Sequence, residues 1–106
     1  MEDFDAIKAM KHEYLTRIQR EGRAEILRLA LRAMKRDGVE VLRWQQYNSI
    51  NGIFIVYFRT CTTDFPNVKA FEGMINEIGD LMEMVFGDAV EVTIDRDGTL
   101  TMEEMK

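Results

Sequence analysis

The sequence is poor in the residues that build covalent and metal-centred sites. Its 106 residues include one cysteine, one histidine and one proline. One cysteine cannot close an intrachain disulfide, and one cysteine with one histidine cannot supply the four ligands of a structural zinc site. The sequence therefore predicts a fold held together by packing, and it indicates no cofactor.

Long hydrophobic runs are also absent. The longest uninterrupted run covers residues 53–58, far short of the roughly 20 residues that cross a bilayer. The first five residues, Met-Glu-Asp-Phe-Asp, are acidic and lack the basic start and apolar run of a secretory signal. We therefore expect a cytoplasmic protein with no membrane partner.

Basic residues are outnumbered, since 14 Lys and Arg face 19 Asp and Glu for a net charge of −5. This balance argues against nucleic acid as a partner. The charge is unevenly spread, because residues 17–36 are basic overall and residues 64–104 are acidic overall. That polarity is typical of a solvated helix face, and alternatively of self-association or capture of an anionic partner.

The length and a hydrophobic fraction of 46% fit one globular domain over residues 1–106. Residues 3–37 contain no proline and are rich in strong helix formers, and Asp37-Gly38 supplies a stop. Such a helix would be about 50 Å long, whereas a domain of this size has a radius of gyration of about 13 Å. Either the helix breaks near Gly22, or its first half, residues 1–22, projects and serves in self-association.

Two β-rich segments follow the helix. Val39–Trp44 and Ile53–Phe58 are β-branched and aromatic, and Asn51-Gly52 between them is a hairpin signal. With that turn, Trp44 would face Arg59. The second strand is apolar on both of its faces, which is typical of a central strand or of one beneath a subunit interface.

The C-terminal half predicts a second helix and a second hairpin. The helix begins with Asp64 as N-cap and Pro66 in its first turn, and it ends at Gly87. In the hairpin, a three-residue loop, residues 96–98, puts Ile94 opposite Leu100. The order α-ββ-α-ββ indicates a two-layer α+β fold, an antiparallel sheet with its helices on one face.

The string Asp95-Arg96-Asp97-Gly98-Thr99-Leu100 matches the DxDGTL signature of haloacid-dehalogenase-type phosphatases. In that chemistry the first Asp is the nucleophile and the second is the acid/base. The family also needs a parallel sheet, and this hairpin is not part of one. We therefore interpret the string as coincidental and do not expect an enzyme.

The same turn resembles part of a calcium-binding EF-hand loop, with Asp95, Asp97 and Glu104 as candidate metal ligands. Thr93 would occupy the first loop position and offers no carboxylate. The segment before the turn is typical of a strand, whereas an EF-hand loop follows a helix. A solvated Asp-Gly turn is the main interpretation, and the sequence predicts no metal site.

Two further motifs resemble a known group. Val41–Tyr47 resembles an (I/V)RWxQY strand, and Phe86–Thr93 with Arg96-Asp97-Gly98 resembles an FGDxVxVTxxRDG ending. Behind a long charged helix, this pairing is similar to a group of small uncharacterised bacteriophage and prophage proteins. The resemblance implies an α+β fold and a phage setting in a bacterial host cell, and it implies no activity or site residue.

Together these features favour a non-enzymatic protein-binding or regulatory protein that forms a homodimer. In the phage setting it would bind a host or viral protein, for example as an antagonist of a host enzyme or defence system. The alternative is a small-ligand or calcium-binding protein that uses the Asp95–Asp97 turn or a pocket near Trp44. The basic helix and the aromatic hairpin supply the partner-binding candidates, which are Arg17, Arg28, Arg32, Trp44, Tyr47 and Tyr57.

Overall fold

The computed structural model of the chain describes residues 2–105, with side chains from Phe4 onward. The elements occur in the predicted order, which confirms the α+β class. They are α1 (Glu2–Asp37), β1 (Val41–Asn48), β2 (Phe54–Phe58), a 3₁₀ turn (Thr62–Asp64), α2 (Pro66–Glu77), α3 (Gly79–Phe86), β3 (Val90–Asp95) and β4 (Leu100–Glu104).

The four strands form one antiparallel sheet in the order β2-β1-β3-β4. Side chains of a strand alternate between the two faces of its sheet. Leu42, Trp44, Val92 and Ile94 point toward the helices and are fully buried. The other face carries exposed residues such as Tyr57, which confirms the prediction that the helices cover one face.

Trp44 lies at the centre of the core. Its ring stacks on Phe58 at a centroid distance of 5.5 Å and meets the edge of Phe86 at 5.6 Å. Its indole N–H donates to Oε1 of Gln46, and Gln46 Nε2 donates to the carbonyl oxygens of Met82 and Gly87. One buried amide thus satisfies the indole and ties the sheet to the middle of α3 at Met82 and to its C-terminal end at Gly87.

The register predicted for the first hairpin is wrong by one residue. Trp44 pairs with Phe58 instead of Arg59, and the loop runs from residue 49 to residue 53. A one-residue slip moves a strand's whole apolar set to the other face. Core packing therefore overrides the Asn-Gly signal, because the observed register buries Phe58 and leaves Arg59 in solvent.

The register predicted for the second hairpin is confirmed. Ile94 pairs with Leu100, and the Asp95 N–H donates to the Thr99 carbonyl across a three-residue loop. Gly98 closes the loop at a φ of 93°, which is the left-handed conformation that glycine adopts without a steric cost.

Two expectations for the second helix are wrong. The helix is broken at Ile78, before the weak helix former Gly79, so that α2 and α3 are separate. Asp64 does not cap α2, which begins at Pro66 after a residue that makes no side-chain cap bond. Asp37 at the end of α1 caps it instead, because its Oδ2 accepts the Val68 N–H at 2.8 Å.

Helix α1 runs unbroken through Gly22 and its first half projects, so the predicted alternative of a break near Gly22 is wrong, and self-association through residues 1–22 stays a prediction. The chain measures 56 × 32 × 25 Å, and its radius of gyration is 15.5 Å, above the roughly 13 Å of a compact domain of this size. Gly22 therefore lies within a continuous helix, at a position where a β-carbon would come within 2.7 Å of Cγ2 of Val85.

Candidate protein-binding surfaces

The projecting half of α1 carries an exposed apolar stripe, here called the helix stripe. Its members are Phe4, Ile7, Met10 and Tyr14, which are 56%, 63%, 68% and 56% exposed. At 100° per residue these side chains fall within one third of the helix circumference. Together they present roughly 400 Å² of apolar surface, within the range of patches that mark interaction sites.

The helix stripe ends where α3 packs against α1. Ile18 packs on the core, and a β-carbon built at Gly22 would lie only 2.7 Å from Cγ2 of Val85. Arg23 Nε donates to the Val85 carbonyl at 2.9 Å. These contacts fix the direction in which the first half of α1 projects, so the helix stripe is presented on a rigid support.

The uncovered face of the sheet is a second candidate surface. Arg43 and Arg59 both approach Oε1 of Glu91, at 3.7 and 3.6 Å, and Arg43 also donates to the Thr93 hydroxyl. Tyr57 lies on the same face and is 59% exposed. Ion pairs at the surface add little to folding stability, so these charges are not needed for the fold. The face combines charged side chains with an exposed tyrosine, a composition suited to a polar interface.

The predicted aromatic candidates divide between the core and the surface. Tyr57 is exposed and Tyr47 is half-buried, both on the uncovered face of the sheet. Trp44 is fully buried, so it is not accessible as a partner-binding residue; the ligand pocket predicted near it stays a prediction. The reason is alternation along β1, which places Trp44 on the helix-facing side and Tyr47 on the outer side.

The predicted arginine candidates all lie on α1, where Arg28 and Arg32 are one turn apart and Arg17 lies about three turns before Arg28. Arg17 is exposed on the projecting half. Arg28 pairs with Glu25 one turn earlier, with Nε 3.1 Å from Oε2. Arg32 lines a groove of about 300 Å³ between α1 and α2, together with Arg36 and Met74.

The acidic turn does not gather its predicted ligands. Asp97 Oδ1 accepts the Thr99 N–H at 2.9 Å, which lowers the pKa of that carboxyl below its ordinary value. Glu104 pairs with Val90 at the far end of the hairpin, about four residues or 13 Å along the strand from Leu100. Within the described residues, no three His, Cys, Asp or Glu side chains are placed to hold a metal ion.

The phosphatase-like string lies in the same antiparallel hairpin. Asp95 is the last residue of β3, and Asp97 and Gly98 form the tight turn to β4. The parallel sheet that this chemistry requires is not formed by residues 2–105, whose strand pairs are all antiparallel. The string acts as a turn, with Asp97 stabilising the loop backbone.

Sequence reasoning missed the ionic cluster around Glu91 and the open edge of β2. The cluster needs the pairing of β1 with β3, which joins segments some fifty residues apart, and no local pattern encodes that. The edge position of β2 was missed because its two-sided apolarity indicates a central strand.

No helix within residues 2–105 combines the length and the hydropathy that crossing a membrane requires. Comparison of the chain with protein-family models, with curated proteins and with solved structures found no significant match.

Proposed function

We propose that this chain is a non-enzymatic protein-binding protein, and that the helix stripe is the surface that meets its partner. The observation that carries the proposal is the exposure of Phe4, Ile7, Met10 and Tyr14 along one side of a projecting helix. An amphipathic helix that docks its apolar side into a groove of another protein is a common recognition mode. The partner is a protein with an apolar groove about three helical turns long, the length of helix from Phe4 to Tyr14.

The charges around the helix stripe support a polar rim for that groove. Lys8 and Arg17 border the stripe and Lys11 lies within its arc, whereas Asp5 and Glu13 lie toward the other side of the same half; all are exposed. Interfaces typically combine an apolar centre with a charged rim that sets specificity more than affinity. The four large apolar side chains among these basic residues fit a protein partner better than a polyanion, which would select basic residues alone.

The phage setting implied by the sequence resemblance supports a bacterial host cell as the place of action. The bound protein is then a host or viral protein, and binding it would antagonise a host enzyme or defence system. Small-ligand or calcium binding is not proposed, because Trp44 is buried and the acidic side chains of the second hairpin are spread along it.

The experiment compares three immobilised proteins in a bacterial lysate. They are the unaltered chain, Ile7→Glu/Tyr14→Glu, and the matched control Thr16→Glu, which places one carboxylate on the opposite side of the same helix. We expect one protein to be captured by the unaltered chain and the control, with at least about ten-fold less on the stripe variant. An identical set of captured proteins on all three would contradict the proposal.

The stripe variant must also remain folded for the comparison to count. Ile7 and Tyr14 lie outside the core, so we expect their substitution to change the free energy of unfolding by less than about 0.5 kcal/mol. Circular dichroism and thermal unfolding measure this directly. Sedimentation of the same variants reports whether the helix stripe binds a second copy in place of a different protein.

A further inference from the structure

Strand β2 is an edge strand with the composition of a central one. It forms one border of the sheet, next to β1. Both of its faces are apolar, with Phe54, Val56 and Phe58 facing the helices and Ile55 and Tyr57 on the outer face. An apolar edge strand offers a template for another strand, and proteins usually blunt such edges with charge, proline or a bulge.

The free hydrogen-bonding groups of this edge follow from the pairing of β2 with β1. Arg59 N donates to Arg43 O, and Ser49 N donates to Ile53 O. Odd-numbered residues of β2 therefore bond to β1, and the N–H and C=O groups of Phe54, Val56 and Phe58 point away from it. Across residues 2–105, no hydrogen bond to these outward backbone groups is formed.

The opposite edge of the sheet is protected and β2 is not. Strand β4 carries Glu103 and Glu104 near its end, and both are exposed. Residues 53–58 contain no charge and no proline, and the nearest charge is Arg59. Charge therefore protects the β4 edge of the sheet against pairing with another strand, whereas the β2 edge has no such protection.

We infer that β2 pairs antiparallel with β2 of a second copy, about a two-fold axis at Val56, to form a continuous eight-stranded sheet. In this register Val56 faces its counterpart, and Phe54 faces Phe58 of the other copy. The three pairs place every outward N–H and C=O group opposite a partner. The strand that is apolar on both faces then becomes a central strand, as its composition predicts.

The self-complementary register about Val56 fits a second copy, and the position of Arg59 favours the antiparallel direction. In the antiparallel register Arg59 lies opposite the uncharged Ile53 of the other copy, and the two Arg59 residues are about 20 Å apart. A parallel pairing would place the two Arg59 side chains together. The antiparallel pair also matches Ile55 with Tyr57 on the outer face, a β-branched and aromatic pair of the kind that stabilises neighbouring strands.

Charge substitutions on the outer face test this register. Ile55→Lys/Tyr57→Lys would place two lysines opposite each other twice across the two-fold axis. Ile55→Glu/Tyr57→Lys would place a carboxylate opposite an ammonium group at the same two positions. Thr101→Lys on the outer face of β4 is the matched control, because it adds a charge at the far edge of the sheet.

Sedimentation over a range of micromolar concentrations gives the readout. We expect a molecular mass of twice 12.4 kDa, that of a dimer, for the unaltered chain, for the Glu/Lys variant and for the control. The Lys/Lys variant should dissociate with a dimer constant at least about ten-fold weaker. A 12.4 kDa monomer for the unaltered chain, or equal dissociation of the Lys/Lys and Glu/Lys variants, would overturn the inference.

A crosslinking measurement covers the event that a charged variant fails to fold. In Tyr57→Cys/Cys61→Ser the single thiol lies next to the two-fold axis, and a short bismaleimide should join two copies in high yield. In the control Thr101→Cys/Cys61→Ser the two thiols are separated by the width of the joined sheets. Equal yields from both variants, or loss of the dimer in the stripe variant Ile7→Glu/Tyr14→Glu, would contradict pairing through β2.

Discussion

Gly22 of α1 lies directly against Val85 of α3, so closely that a β-carbon at position 22 would be 2.7 Å from Cγ2 of Val85. Val85 is fully buried and cannot withdraw without disturbing the core. This contact lies one helical turn from Ile18, which also packs on the core at the base of the projecting half. It explains why a weak helix former occupies the middle of the longest helix.

Gly22→Ala is expected to destabilise the fold although alanine favours a helix. The gain in helix propensity is about 1 kcal/mol, and overpacking against a buried valine costs about 1–3 kcal/mol, so the net loss is about 1 kcal/mol. Gly73→Ala is the control, because a β-carbon there meets nothing within 4 Å. In urea unfolding, the free energy of unfolding should be higher for Gly73→Ala and lower for Gly22→Ala than for the unaltered chain. If both substitutions stabilised the chain, Gly22 would not be packed tightly against Val85.

Asp37→Ala is expected to lower the melting temperature by removing the cap of α2. Desolvation alone would raise the pKa of Asp37, but hydrogen bonds from Asn67 and Val68 outweigh it and hold the pKa below its ordinary value. The carboxylate therefore stabilises the fold above its ordinary pKa, and this contribution is lost as the pH falls through the folded-state pKa. The difference in melting temperature between Asp37→Ala and the unaltered chain should therefore shrink and disappear as the pH is lowered through the acidic range.

Asp64→Ala is the matched control for the cap. Asp64 lies two residues before α2 and is the residue that local sequence rules select as its N-cap, yet it makes no cap bond to that helix. Its replacement should leave the melting temperature nearly unchanged at neutral pH. A larger effect at position 64 than at position 37 would mean that the cap is assigned to the wrong residue.

Gln46→Leu is expected to cost about 3 kcal/mol in the free energy of unfolding. The substitution leaves the Trp44 indole N–H and two carbonyl oxygens without their partner inside the core, and each such group costs about 1–3 kcal/mol. Gln45→Leu on the outer face of the same strand is the control. Urea unfolding followed by Trp44 fluorescence measures both, and equal stability of the two variants would disprove the role of the buried amide.

Calcium at millimolar concentration is expected to leave Trp44 fluorescence and the melting temperature unchanged. Asp97 already accepts a backbone hydrogen bond, and Glu104 lies at the far end of the hairpin, so the three candidate ligands cannot converge on one ion. A saturable change in either signal, abolished by Asp97→Asn, would restore the calcium-binding alternative.

Local patterns predict most of the elements of this fold. The long helix, both hairpins and the end of α3 at Gly87 follow from helix propensity, alternation and glycine at positive φ. The second hairpin register also follows, because only a three-residue loop aligns Ile94 with Leu100. These features depend on residues close together in the sequence, so they can be predicted from a single sequence.

Features that join distant segments escape such reasoning. The register of the first hairpin depends on which face of β2 meets the helices. Capping of α2 by Asp37 joins residues thirty positions apart. The burial of Trp44 follows from the side of β1 that faces α2 and α3. The surfaces differ accordingly. Length alone reduced the first helix to two alternatives, a break near Gly22 or a projecting first half, whereas the open edge of β2 required the strand order.

Site-specific photocrosslinking in bacterial cells tests the central claim, that the helix stripe binds another protein, most directly. A photoreactive phenylalanine analogue replaces Ile7 on the stripe in one protein and Thr16 on the opposite side of the helix in another. Our account predicts a crosslinked product from position 7 that contains this chain and one different protein, and none from position 16. No product from position 7, equal products from both positions, or a product of two copies of this chain would contradict it.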